Sequence, residues 1–160
     1  MHSLTLWRPW LWSIFHLPPG KAKRVENRTW PPPHWLVDHY LALHAGKTWD
    51  AEGAEFIEQV SGVRVPPPEA HPSGAIVGIA RVTGFKRKVG EDDLFAGVRG
   101  PSDEPADPWF FGPYGWKLDR VLALPEPIPC RGAQGLWVPP PEVNEKLEAL
   151  VLGGARGEKG

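Results

Sequence analysis

The sequence predicts an α+β domain built on a strongly curled sheet or small barrel of about five to six short strands with short flanking helices. Three observations carry that expectation. Short apolar or alternating runs of strand length recur from Leu4 to Leu124. Only two longer segments, Trp49 to Val60 and Glu142 to Leu152, place apolar residues at helical spacing. Pro-Pro-Gly or triple-proline punctuation separates many of these segments, as a chain that turns often requires.

In chain order, Leu4 to Trp7 alternates as a first strand, and Pro9 then suits the first turn of a helix over Trp10 to His16. Pro18-Pro19-Gly20 stops that helix. Arg24 to Trp30 alternates as a second strand, ended by Pro31-Pro32-Pro33, which cannot donate to a ladder. Tyr40 to His44 (YLALH) is an apolar run of strand length. The helix after it is expected to be capped by Thr48, with Asp50 and Glu52 near its positive end, and to stop at Gly62. Gly74 to Val82 (GAIVGIARV) is the strongest strand signal, with Gly84 to Val89 extending or bending it. Glu91 to Asp107, acidic and rich in Gly and Pro, reads as a surface loop. Tyr114 to Leu124 reads as a further strand and Gly135 to Val138 as a short closing one. A last helix is expected over Glu142 to Leu152, ended by Gly153-Gly154.

At 160 residues the chain has the size of one domain, taken as residues 1–152 with 153–160 as a flexible C-terminal tail. No run is long and apolar enough to span a bilayer, and the start does not read as a signal peptide. One cysteine, Cys130, forbids an internal disulfide, so the expected compartment is the cytoplasm. A net charge of −1 argues against coating duplex DNA by bulk electrostatics, so any nucleic-acid binding must be local. Twenty prolines beside two Asn, two Gln and one Met fit a thermophile, although a GC-rich genome raises Pro and Gly as well.

The segment Lys23 to Trp30 (KRVENRTW) concentrates the chemistry. Residues two apart on a strand share a face, so Arg24, Glu26, Arg28 and Trp30 line up together. Two guanidiniums flanking a carboxylate leave Arg hydrogens for phosphate oxygens and the Glu26 carboxylate for an exocyclic base amine. Trp30 offers a stacking surface for an unpaired base. Lys23 is out of phase and belongs to the turn before the strand, or to a bulge. The same alternation also suits a solvent-facing strand with paired charges. His44 and Lys47 fall at a strand end before a helix N-terminus, where backbone N–H groups attract anions, or are an ordinary imidazole and surface charge. Tyr114 and Trp116 share a face and either stack on a base or fill the core. Trp7 and Arg8 carry the same ambiguity.

The order LTLWRPW, a helix, K-x-x-E-N-R-T-W, LALHAGK, GAIVGIARV and GPYGWKL resembles the ASCH family of the PUA-like superfold over roughly Leu4 to Pro139. That resemblance implies a small PUA-like β-barrel with a cleft lined by the signature G-x-K-x-x-E-x-R. Lys23, Glu26 and Arg28 fall on its charged positions; Lys21 stands at its glycine position, with Gly20 one residue earlier. Its implied role is binding RNA or a modified nucleoside; joined to the residue readings above, the expected site for single-stranded RNA or a nucleoside or nucleotide also takes in Arg8, Arg24, Trp30, His44, Lys47, Tyr114 and Trp116. Some relatives are amidohydrolases on acylated cytidine that use a lysine with a threonine three residues later. Here Glu26 stands at that place, so the expected role is binding rather than catalysis. Hydrolysis of a modified nucleoside and a protein-interaction module are the alternatives.

Elsewhere, Gly46-Lys47-Thr48 lacks the first glycine of a P-loop. The histidines His34, His39 and His44 share no face for an ion, and Cys130 has no CxxC partner, so neither a metal nor a cofactor is expected. No serine-hydrolase elbow or glycosidase carboxylate pair appears.

Overall fold

A computed structural model describes residues 1–89 and 106–157, the backbone alone for 154–157. Five strands and three α-helices follow in the order β1 (His2–Arg8), α1 (Trp10–Phe15), β2 (Val25–Arg28), β3 (His39–Trp49), α2 (Ala51–Ser61), β4 (Ala75–Arg87), β5 (Tyr114–Pro129) and α3 (Pro141–Gly157). Single 3-10 turns at His34–Leu36 and Pro68–Ala70 shape the connections.

The strands form one mixed sheet ordered β1-β3-β4-β5-β2, parallel only between β1 and β3. The α+β class expected from the sequence is present, but the barrel is not closed. Among the described residues, β1 and β2 are its two edges and share no ladder. Three register shifts in β4 against β5 bend the sheet, as bulges do. The curl carries the edges close together, so that Arg28 Nη2 on β2 donates to the Thr5 carbonyl on β1 at 3.3 Å. The seam between these two edges is where the candidate site lies.

Strand parity decides what faces the seam. On β1, Leu4 and Leu6 turn into the main core with Leu41 and Leu43 of β3, Val82 of β4, and Trp116 and Leu118 of β5, covered by Leu11 and Ile14 of α1. Thr5 and Trp7 alternate with them and face the seam. A second cluster packs Val143 and Leu147 of α3 on Ala42, Ile76 and Ile79. A third seats Ile57 of α2 on Leu17, Val65 and Trp109.

Several expected boundaries move for identifiable reasons. YLALH is only the first half of β3, which runs on through Gly46 to Trp49 because β1 pairs with it as far as Arg8. Thr48 is therefore a strand residue, and α2 is capped by Asp50, whose side chain accepts from the Gly53 N–H at 2.9 Å. The strand expected over Arg24 to Trp30 is shortened to Val25–Arg28. Gly135 to Val138 contributes one isolated bridge, Ser3 to Trp137, rather than a strand. α3 continues through Gly153 and Gly154 to Gly157, so these two glycines are tolerated inside a helix and do not end it. Of the expected loop over Glu91 to Asp107, residues 91–105 lie outside the described residues, as do 158–160 of the expected tail. Among the described residues, no helix is long and apolar enough to cross a membrane.

Candidate functional site in the seam between the sheet edges

The turn after α1 places Lys23. Gly20, with φ 88°, is the third residue of a turn closed by Lys21 N–H to the Pro18 carbonyl at 3.0 Å, the position where a type II turn needs glycine. The glycine that the motif shows one place early is thus the residue the turn requires. The chain then docks on the C-terminus of α1. The Lys23 N–H donates to the Ser13 carbonyl at 2.9 Å, and Arg24 Nη1 donates to the Ile14 carbonyl at 2.6 Å, satisfying carbonyls that the helix end leaves open. Arg24 is thereby a helix-capping residue and is not part of the seam.

Lys23 itself points inward and is 2% exposed. Its Nζ lies 3.8 Å from Glu26 Oε2 and 5.0 Å from the centre of the Trp10 ring. Burial drives its pKa below the usual lysine value, with the Glu26 carboxylate opposing that shift and Arg28 reinforcing it. Trp10 is held in turn by Asp50, whose second carboxylate oxygen accepts from the indole Nε1 at 2.9 Å. One aspartate therefore caps α2 and orients the ring that faces Lys23.

On β2, Glu26 and Arg28 share a face as parity requires. Glu26 is 8% exposed, and its Oε1 lies 4.0 Å from Arg28 Nε. Both separations within this trio exceed a hydrogen bond. Among the described residues, Glu26 Oε2 and Arg28 Nε are buried atoms with no hydrogen-bond partner. Such unsatisfied groups are uncommon in proteins and cost roughly 1–3 kcal/mol each.

These residues form one wall of a cleft of about 330 Å³, whose other wall is Thr5, Leu6 and Trp7 of β1. Its aromatic components are Trp7, Trp10 and Phe111, with Trp7 56% and Phe111 42% exposed. Phe111 is brought there by Asn27. The Asn27 carbonyl oxygen accepts from the N–H groups of Phe111 at 2.8 Å and Gly112 at 3.1 Å, while its amide donates to the Trp109 carbonyl at 2.9 Å. Sequence reasoning missed this residue. Parity places Asn27 on the face opposite Glu26 and Arg28, and the signal for its role is the ability of one carboxamide to bind a peptide loop from both sides.

The expected aromatic partners do not reach the cleft. Trp116 is fully buried, donates from Nε1 to the Trp30 carbonyl at 2.9 Å and meets the Trp30 ring edge-on at 4.9 Å, so both belong to the core. Tyr114 sits opposite Arg28 in the ladder and packs on Phe85. Arg8 is a tether: its guanidinium donates to the carbonyls of Pro68, His71 and Lys47 and lies over Trp49. Of the two early candidates Trp7 and Arg8, it is Trp7 that lines the cleft.

The cleft opens into a larger groove of about 1010 Å³ that shares Thr5, Trp7 and Arg28 with it and continues past His44, Lys47 and the 130–135 segment. Lys47 projects from β3, two residues before the strand ends, and not from a helix N-terminus. His44 is buried beneath the groove. Its Nε2 contacts the Cys130 carbonyl at 2.8 Å and its Nδ1 contacts Thr5 Oγ1 at 3.3 Å. A carbonyl can only accept, so Nε2 carries the proton and the Thr5 hydroxyl donates to Nδ1. Trp137 Nε1 donates to the same hydroxyl at 3.2 Å. Burial lowers the His44 pKa, with the bond to Cys130 opposing, which keeps the ring neutral. Gly132 closes over this pair so tightly that a Cβ there would lie 2.7 Å from both His44 Nδ1 and Thr5 Oγ1.

Among the described residues, no group of three or more His, Cys, Asp or Glu could hold a metal ion. No protein-family model matches this chain, and no curated protein matches it.

Proposed function

We propose that the seam cleft binds the base of a nucleoside, nucleotide or single-stranded RNA, in the manner implied by the resemblance to ASCH domains. The observation that carries this reading is the trio of buried Lys23 and Glu26 with half-buried Arg28, in which Glu26 Oε2 and Arg28 Nε lack hydrogen-bond partners among the described residues beside a cleft sized for one small ligand. A carboxylate held between two cations accepts from an exocyclic amine, and the guanidinium donates to an adjacent ring or carbonyl acceptor. Trp7 and Phe111 supply exposed rings at the cleft, where a base face can rest. Bases carrying an exocyclic amine are then preferred over uracil, which has none. Titration of the protein's tryptophan fluorescence with cytidine, adenosine, guanosine, uridine and a short single-stranded RNA tests this. The reading requires binding that weakens in Glu26→Gln and Trp7→Ala; ligands that bind neither variant more weakly than the unaltered protein would place the site elsewhere.

A second reading is favoured by one observation, the lowered pKa of Lys23 beside Glu26. A lysine whose pKa is lowered gives up its proton more readily, and the amine so freed can take a proton from water or attack a carbonyl, with Glu26 as its proton partner. Release of free cytidine from an acylated cytidine by the unaltered protein, and not by Lys23→Ala, would select this reading over simple binding.

A further inference from the structure

We infer that the occupant of the seam is a nucleotide chain and not a free nucleoside, with its phosphodiester backbone leaving the cleft past Arg28 into the groove between Lys47 and Arg131. This rests on the base-binding reading of the cleft. Three features of the groove support it independently.

The first is charge. Arg28, Lys47 and Arg131 line the groove, and among the described residues that line it none is a carboxylate, in a chain whose overall charge is −1. Chance placement in a slightly acidic protein would mix the signs; a track for phosphates would not. The second is continuity and size. Thr5, Trp7 and Arg28 line both spaces, and the groove holds about 1010 Å³ against about 330 Å³ for the cleft. The cleft is near the lower end of small-ligand sites, roughly 300–1,000 Å³, so the groove has room for further nucleotides that the cleft does not. The third is construction. The Thr5–His44–Trp137 hydrogen bonds and the side-chain-free Gly132 form a fixed floor, and the lowered pKa leaves His44 uncharged, so the cations are carried by the flexible rim residues Lys47 and Arg131. A rigid polar floor, long cationic side chains at the rim and an exposed ring, Trp7, at the junction together make the arrangement that single strands use: stacking for a base, charges for its backbone.

The chemistry fixes the salt dependence. Three phosphate contacts on a single strand correspond to a slope of log K against log salt of about −2, from roughly 0.7 per phosphate. The test measures the affinity of a nucleoside, its 5′-monophosphate, a four-nucleotide single strand of the same base and inorganic tripolyphosphate, at several salt concentrations. The proteins compared are the unaltered chain, the double variant Lys47→Ala/Arg131→Ala and Glu26→Gln. Expected are an affinity for the four-nucleotide strand at least about tenfold above that for the nucleoside, and a salt slope near −2 that falls below about −1 in magnitude in the double variant. A strand that binds no more tightly than the nucleoside overturns the inference and leaves the cleft reading standing. Tripolyphosphate that competes as well as the strand also overturns it, because the groove is then a general anion trough. A strand whose binding depends on Lys47 and Arg131 but is indifferent to Glu26→Gln supports the groove and removes the base-reading role of the cleft. Absence of binding by every ligand overturns both.

Discussion

Replacing Glu26 by glutamine keeps the shape of the side chain and removes the one negative charge between Lys23 and Arg28. At separations of 3.8 and 4.0 Å, each ion pair is worth up to about 4 kcal/mol at an effective dielectric near 20. Stripping one partner from a buried pair typically costs roughly 3–5 kcal/mol. Lys23 limits the loss, because burial already holds its pKa below the usual 10.5 and the lost carboxylate lowers it further, so that its proton is shed more readily. The expected destabilisation at neutral pH is therefore about 2–4 kcal/mol. Its pH dependence has a definite sign. Where the pKa of a lysine is lower folded than unfolded, the unfolded chain binds more protons in the window between the two values, and stability rises with pH there. The window of the variant is the wider one, so its deficit shrinks as pH climbs toward 10.5. Urea denaturation of both proteins at neutral pH and at about pH 9.5 measures this. A variant as stable as the parent at neutral pH, or a deficit that grows with pH, would refute the idea that Glu26 balances a buried charged lysine.

Trp7→Ala is expected to change stability little, since the ring is 56% exposed, yet to weaken base binding by roughly 1–3 kcal/mol in a fluorescence or calorimetric titration. Asn27→Ala breaks three hydrogen bonds to the 109–112 segment and is expected to cost about 1–3 kcal/mol by urea denaturation, with weaker ligand binding because Phe111 is no longer held. Asn27→Asp, which keeps the two acceptor contacts, falls between. For His44, the pKa is lowered in the folded protein, so its contribution to stability is lost as pH falls from the usual 6.5 through its folded value. A His44→Gln variant is expected to show a shallower acid dependence over that window in parallel denaturation curves.

The strand signals were legible because each rests on a local property: β-branched residues in GAIVGIARV, an apolar run of strand length in YLALH, and proline where a ladder must stop. The site was partly legible for the same reason. Period two along β2 places Glu26 with Arg28 and leaves Lys23 to the turn before the strand; the structure has Lys23 before β2, yet brings its side chain to theirs at the cleft. What parity cannot supply is the distance to other strands. Arg24 obeys the alternation, yet its guanidinium is drawn to the carbonyls at the end of α1, a partner ten residues away in sequence. Trp30, expected as a stacking surface, is core, and Trp116, for which stacking and core were both open, is core as well, because β2 and β5 pair and press the two rings together. Trp7 is the reverse case: its face is set by Leu4 and Leu6 turning inward, and only the sheet curl reveals that this face looks across at Arg28. Arg131 lies in no strand and no motif, and nothing in the sequence links it to Lys47.

The open seam explains why these particular residues meet. A closed barrel would join β1 to β2 through backbone hydrogen bonds and leave no space between them. Here one long side chain, Arg28, spans the gap to a single carbonyl of Thr5, and the other outward groups of the two edges are left to line a cleft. Ser3, two residues earlier, is closed off by the Trp137 bridge, so the seam is shut at one end and open from Thr5 onward. The ends of the two edges thus set the length of the site, while parity sets which side chains enter it. Lengthening β2 by restoring strand character at Thr29 and Trp30 would extend the edge without widening the gap. Widening would instead require losing the Arg28 contact, which makes that guanidinium at once a cleft-lining group and the strut that fixes the width of the cleft.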